Sequence, residues 1–150
     1  MRIKVEATRV SKASKDSIWK AVEDLESWPK WSDGTSKNRV ISNKIVSREG
    51  NSVVCDTDEI ANGLHVKHKG RITFYPKEKV TEEITEGPDI GFWTWNFTET
   101  PQGTRLDMSM DVEPKSLMFK IGFRINGKKA LQAMADEYNR RLSDYAEAHP

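Results

Sequence analysis

The stretch FWTWNFTETPQGTRLDMSMDV, Phe92 to Val112, limits what this chain can become more than any other. It reads as a hairpin turning at Pro101-Gln102-Gly103. Pairing Phe97 with Leu106 sets Trp95 opposite Met108 and Trp93 opposite Met110. Thr94, Asn96, Asp107, Ser109 and Asp111 then share the other side. Side chains alternate along a strand, so one face is aromatic and thioether while the other is wet. A sheet of this kind needs a cover for its apolar face, and the chain has to provide it.

The C-terminal region offers that cover. Leu131, Met134, Tyr138, Leu142 and Tyr145 recur at helical spacing, whereas SLMFKIGFRINGKK is interrupted by Gly122 and Asn126-Gly127. A long helix is therefore expected from near Gly127, after an irregular or separately helical lead-in. At the other end, Ile3, Val5 and Ala7 alternate with polar residues as a strand does. Ser14 can cap a following helix whose face carries Ile18, Trp19, Val22 and Leu25. Pro29, between Trp28 and Trp31, is expected to end that helix and leave a second short one closed by Gly34.

Between these ends the chain reads as strands and turns. RVISNKIVSR and NSVVCDTDEI flank Glu49-Gly50-Asn51, a hairpin signal, but Val40 and Val46 compete with Ile41 and Ile45 for one face. A bulge is expected and their facing stays open. In the next pair, VKHKGRITFY and KVTEEITE meet across Pro76-Lys77-Glu78. Pairing Tyr75 with Lys79 puts Phe74 opposite Val80, Ile72 opposite Glu82 and Gly70 opposite Ile84, which keeps apolar residues on one face. Carried further, this register sets His68 opposite Glu86, with Glu82 also inward.

Composition excludes several classes. The 150 residues carry a net charge of +1, which argues against nucleic-acid binding, and suit a single domain spanning residues 1–150. One cysteine, Cys55, permits no internal disulfide, so a cytoplasmic location is expected. No apolar run approaches the ~20 residues of a membrane span, and the start MRIKVEATRV has no signal-peptide core. His65 and His68 form an H-x-x-H, but residues three apart on a strand point to opposite faces, so no metal is expected. No cofactor motif is present.

The order of strand, broken helix pair, six antiparallel strands and terminal helix resembles the helix-grip fold of the START-like superfamily. That superfamily includes the birch-pollen-allergen, polyketide cyclase/dehydrase and coenzyme-Q-binding branches. The residues that carry the resemblance are SKDSIWKAVEDLESWPKW, WNF followed by GTRLDM, and the terminal helix. It implies an α+β fold in which a curved antiparallel sheet of about seven strands wraps a long C-terminal helix, with two short helices after the first strand. It also implies a cavity between sheet and helix for a lipid, quinone, sterol or polyketide-like ligand. The superfamily shares no catalytic triad to transfer.

The residues expected to line such a cavity follow from the registers above. The last hairpin contributes Trp93, Trp95, Phe97, Leu106, Met108 and Met110, and the middle one Val66, His68, Ile72 and Phe74. Phe119, Phe123 and Met134 come from the helical end, and Trp31 from the mouth. Methionines adapt to whatever fills the space beside them. His68 with Glu82 or Glu86 is a candidate acid/base pair for a cyclase- or dehydrase-type enzyme, the alternative to a simple binder. An interaction module with a filled cavity is the third reading. Residues 115–129 hold Lys115, Lys120, Arg124, Lys128 and Lys129 among apolar residues and no acid, a composition suited to transient contact with an anionic membrane surface.

Overall fold

The computed structural model describes residues 1–150. Its elements run β1 (Ile3–Ser11), α1 (Lys15–Glu23), a 3-10 helix (Leu25–Trp31), β2 (Arg39–Glu49), β3 (Ser52–Ala61), β4 (Leu64–Tyr75), β5 (Lys79–Glu86), β6 (Asp89–Thr100), β7 (Gly103–Pro114) and α2 (Leu117–Ala148). All seven strands form one antiparallel sheet in the order β1-β7-β6-β5-β4-β3-β2, so β2 to β7 make a meander and β1 closes on β7. This is the helix-grip α+β fold: a curved, open sheet holding a long terminal helix.

The alternation in β1 buries Ile3, Val5 and Ala7. The Ser14 hydroxyl accepts from the Ser17 amide at 3.1 Å and caps α1, whose Ile18, Trp19, Ala21 and Val22 are buried. The break comes earlier than Pro29 suggests. α1 stops at Glu23, and Pro29 lies inside the 3-10 helix. The last carbonyls of α1, which have no helical donor, are taken by side chains instead. Ser27 Oγ donates to the Ala21 and Asp24 oxygens, and Trp28 Nε1 donates to the Val22 oxygen at 3.0 Å. Trp28 thus turns inward, and its ring stacks on Trp31 at 5.1 Å between centroids.

The last hairpin has the register its alternation dictates, with Trp93, Trp95 and Phe97 opposite Met110, Met108 and Leu106. In β4 and β5 the expected pairs hold from Tyr75–Lys79 to Gly70–Ile84, after which Thr85 bulges out and Lys69, not His68, faces Glu86. β2 and β3 carry two irregularities, between Val40 and Ser42 and between Ile45 and Ser47. These bulges let Val40 point inward while Ile41 and Val46 stay exposed.

α2 is two helical runs joined at Asn126, whose φ of −148° and ψ of 17° are not helical. The run after it packs on β1, β7 and α1, at the β1 side of the sheet. Gly127 is buried where α2 crosses β1, and a β-carbon there would collide with Ile3 and Phe123. Asn139 fixes the docking: its Nδ2 donates to the Ala7 and Leu106 carbonyls, each at 3.2 Å, and its Oδ1 accepts from Trp95 Nε1 at 2.9 Å. Because the helix rests on β1 and β7, the concave surface of β3 to β6 is left partly uncovered.

Candidate functional site

That uncovered volume is a cavity of about 200 Å³ between the sheet and α2. Its apolar wall is built by alternate residues of neighbouring strands: Val66 and Ile72 from β4, Ile84 from β5, Trp93 and Trp95 from β6, and Met108 and Met110 from β7. Phe119, Phe123, Leu131 and Met134 of α2 close the top, and Trp28 reaches it from the 3-10 helix. Leu64 and Met118 belong to this wall yet are 47% and 62% exposed, which puts the mouth between the β3–β4 turn and the start of α2.

Several residues expected on the wall lie elsewhere. Trp31 packs behind Trp28 against Trp95 and Tyr145, because the 3-10 turn sends Trp28 rather than Trp31 into the cavity. Phe74 and Phe97 both make T-shaped contacts with Trp19, so α1 covers that end of the sheet and fills it. Leu106 is fully buried in the same packed region. Val66, His68, Ile72, Trp93, Trp95, Met108, Met110, Phe119, Phe123 and Met134 all border the cavity.

One end of the cavity is polar. His68 extends from β4 with its side chain only 7% exposed, its Nδ1 lying 3.2 Å from Glu59 Oε1. Glu59 Oε2 accepts from the Tyr138 hydroxyl of α2 at 3.0 Å. On the other side, His68 Nε2 is 3.7 Å from Glu82 Oε1, too far for a hydrogen bond, so this attraction is purely Coulombic. Glu82 Oε1 instead accepts from Trp93 Nε1 at 2.5 Å, across the strand pair that sets Glu82 opposite Trp93. Glu86 plays no part here: the Thr85 bulge swings it outward to pair with Lys69.

Gly70 makes this arrangement possible. It sits on the inner face between His68 and Ile72, and a β-carbon there would overlap the Glu82 carboxylate. The glycine leaves a niche in which a long acidic side chain folds flat over the sheet. Glu82 Oε2 lies in that niche with no protein donor, and His68 Nε2 likewise has no acceptor. Asp89, at the start of β6, adds a third carboxyl to the lining, which also includes Asn43 and Thr57, where Thr57 Oγ1 donates to Asn43 Oδ1 at 2.8 Å.

Burial opposes charge on His68, but the carboxylates of Glu59 and Glu82 outweigh it and hold the imidazolium to about 11. His68 is therefore a cation and a hydrogen-bond donor across the physiological range, and not a base. Burial, with repulsion from Glu59, raises the Asp89 carboxyl to about 6. Burial also pushes up the Tyr138 phenol and the Cys55 thiol, so neither is an anion at neutral pH. Asp89 is the group here that changes charge near neutrality.

Glu59, Asp89 and Tyr138 were not among the residues the sequence singled out. Glu59 lies on a strand whose facing two bulges obscure, and Asp89 follows the Gly87-Pro88 turn. Tyr138 was legible as a buried helix position, but its partner was not.

Comparison with known proteins bears on this geometry. Residues 2–147 match the family model described as polyketide cyclase / dehydrase and lipid transport. Among solved structures, a Thermus thermophilus protein superposes with a TM-score of 0.79 at 19% identity, covering 99% of this chain and 98% of that one. An aromatase/cyclase from a Streptomyces species gives 0.78 at 14% identity, covering 98% and 94%. A START superfamily protein from Mycobacterium smegmatis gives 0.78 at 20% identity, covering 98% and 99%. No curated protein matches the sequence significantly.

Proposed function

Because the chain belongs to the polyketide cyclase / dehydrase and lipid transport family, we propose that it binds and carries a small hydrophobic ligand between its sheet and α2. The cavity of about 200 Å³ carries this reading. An apolar hole of roughly 150 Å³ suffices to take benzene, so this volume suits a ligand of one or two rings or a short chain. Met108, Met110 and Met134 can move to admit a somewhat larger one. Native mass spectrometry, followed by titration with quinone, short-chain lipid and polyketide-like probes, tests the idea. Trp28, Trp93 and Trp95 border the cavity, so binding is expected to change their fluorescence. Met134→Trp, which fills the space, is expected to weaken binding at least tenfold. Failure of every probe to bind would overturn the proposal.

Loading at an anionic bilayer belongs to the same reading. Leu117, Ile121 and Ile125 recur every fourth residue and are 74%, 53% and 80% exposed. Lys120, Arg124 and Lys128 recur at the same interval on the adjoining face. Phe119, Gly122 and Phe123 border the cavity. One short helical run thus combines a lid with a cationic, apolar outer surface. Sedimentation with phosphatidylglycerol vesicles is expected, with little on phosphatidylcholine, and Ile121→Glu/Ile125→Glu is expected to abolish it. Equal behaviour on both lipids, or none on either, removes this part of the proposal.

A second reading, catalysis of a cyclisation or dehydration, is favoured by the buried His68 on the cavity wall with its Nε2 free of any acceptor. An imidazolium there can polarise a ligand carbonyl. Loss of turnover on a polyketide-like substrate in His68→Gln, with binding retained, supports it; absence of turnover in the wild type sinks it.

A further inference from the structure

The polar end of the cavity has more negative charge than it can balance. His68 is the only basic side chain on the wall, against the carboxyls of Glu59, Glu82 and Asp89. The hydrogen bonds are uneven in the same sense. Each oxygen of Glu59 has a partner, His68 or Tyr138, but Glu82 Oε2 has no protein donor although its side chain is only 3% exposed. No side chain donates to Asp89. The single donor left over is His68 Nε2. Buried acceptors without donors are costly, and a ligand that supplies donors and positive charge relieves both debts.

From this cluster we infer that the cavity selects an apolar amine, whose ammonium group faces Asp89 at the polar end while its ring or chain lies against Trp93, Trp95 and Met110. The inference rests on the ligand-binding reading above and narrows it. The wall suits a cation in a second way: Trp28, Trp93, Trp95 and Tyr138 border the same space, and aromatic faces attract a desolvated ammonium. A ligand carboxylate meets the opposite situation, facing three acids with one histidine already committed to two of them. Free fatty acids are therefore disfavoured. The raised carboxyl of Asp89 has the same origin, since burial and Glu59 both oppose its negative charge. The charged groups that act on Asp89 are Glu59 from β3 and His68 from β4, while Glu82 from β5 and Tyr138 from α2 line the same cavity.

Isothermal titration of the full chain with naphthylmethylamine, naphthylmethanol and naphthoate tests the charge preference at constant shape. At pH 7.5 the amine is expected to bind about tenfold tighter than the alcohol, and naphthoate most weakly. At pH 5, where Asp89 takes up its proton, the advantage of the amine is expected to shrink. Asp89→Asn, which removes a buried charge and leaves the fold intact by circular dichroism, is expected to remove the advantage at pH 7.5. If alcohol or naphthoate binds as tightly as the amine, the inference is wrong and the cavity reading stands. A preference that survives Asp89→Asn overturns the role given to Asp89. If none of the three binds, both this inference and the ligand-binding reading fall.

Discussion

The imidazolium of His68, held between Glu59 and Glu82, makes stability depend on pH in a window that few other groups share. An unfolded histidine titrates near 6.5, whereas in the fold the proton stays on to about 11. Its contribution is therefore complete below pH 6.5 and drains away as pH rises toward 11, because the folded chain retains a proton that the unfolded chain has lost. The slope is about 1.4 kcal/mol per pH unit for one proton. Between pH 7.5 and 9.5 the loss sums to about 2.7 kcal/mol, since almost the whole interval lies above the unfolded value. His68→Gln removes the titrating proton while keeping a polar side chain of comparable reach. At pH 7.5 the variant is expected to be less stable by roughly 3–5 kcal/mol, the cost of leaving buried carboxylates without their cation. Urea unfolding of both proteins across this range should show the gap closing by about 2.7 kcal/mol at pH 9.5. Tyr138 titrates alike in both proteins and cancels in the difference; Cys55, on which the His68 charge acts, is replaced by Ser in both so that its thiol does not enter. A gap that stays constant from pH 7.5 to 9.5 would mean that His68 titrates normally, and the electrostatic account of the cavity's polar end would fail.

Two further perturbations test the supports of the site. Gly70→Ala places a methyl group in the niche of the Glu82 carboxylate and is expected to cost about 1–3 kcal/mol; in a Glu82→Ala background the same change should cost under about 1 kcal/mol, a coupling that a double-mutant cycle in urea reads directly. Asn139→Leu leaves the Trp95 indole N–H without its acceptor in the core and is expected to destabilise by about 2–4 kcal/mol, measured by thermal unfolding at neutral pH.

Where polar and apolar residues alternate strictly, the sequence determined the structure: β1, α1 and the β6–β7 hairpin follow from their periodicity, and with them the Trp93, Trp95, Met108 and Met110 wall. Legibility failed wherever the period breaks. Thr85 bulges out of β5, which is invisible in KVTEEITE because Thr85 and Glu86, beyond the last apolar residue, tolerate either face, and that one displaced residue exchanged His68's partner. Two bulges in β2, the strand paired with β3, hid the inward turn of Glu59. A subtler signal was available in α2, where Asn139 follows Tyr138 on the face that also carries Leu131, Ala135, Leu142 and Ala146. A lone amide among core positions marks a side chain with bonds to make, and this one joins helix to sheet.

The irregularities and the site have a common cause. A strictly regular sheet under a straight helix would pack closed, since alternate side chains would meet the helix along its length. Here the bulges redirect residues on two strands, β2 and β5, Gly70 lowers the floor beneath Glu82, and Asn126 interrupts α2 where its first run borders the hollow. The volume opens over β3 to β6 because these deviations coincide there, and the buried charges of Glu59, His68, Glu82 and Asp89 occupy the same place. Isolated buried charges are too costly to persist in a packed core, so their concentration along one wall of this apolar hollow argues for a ligand-directed role rather than a structural one. That role is consistent with Asn139 and Trp95, which hold the remainder of the helix firmly and leave adjustment to the run between Leu117 and Ile125.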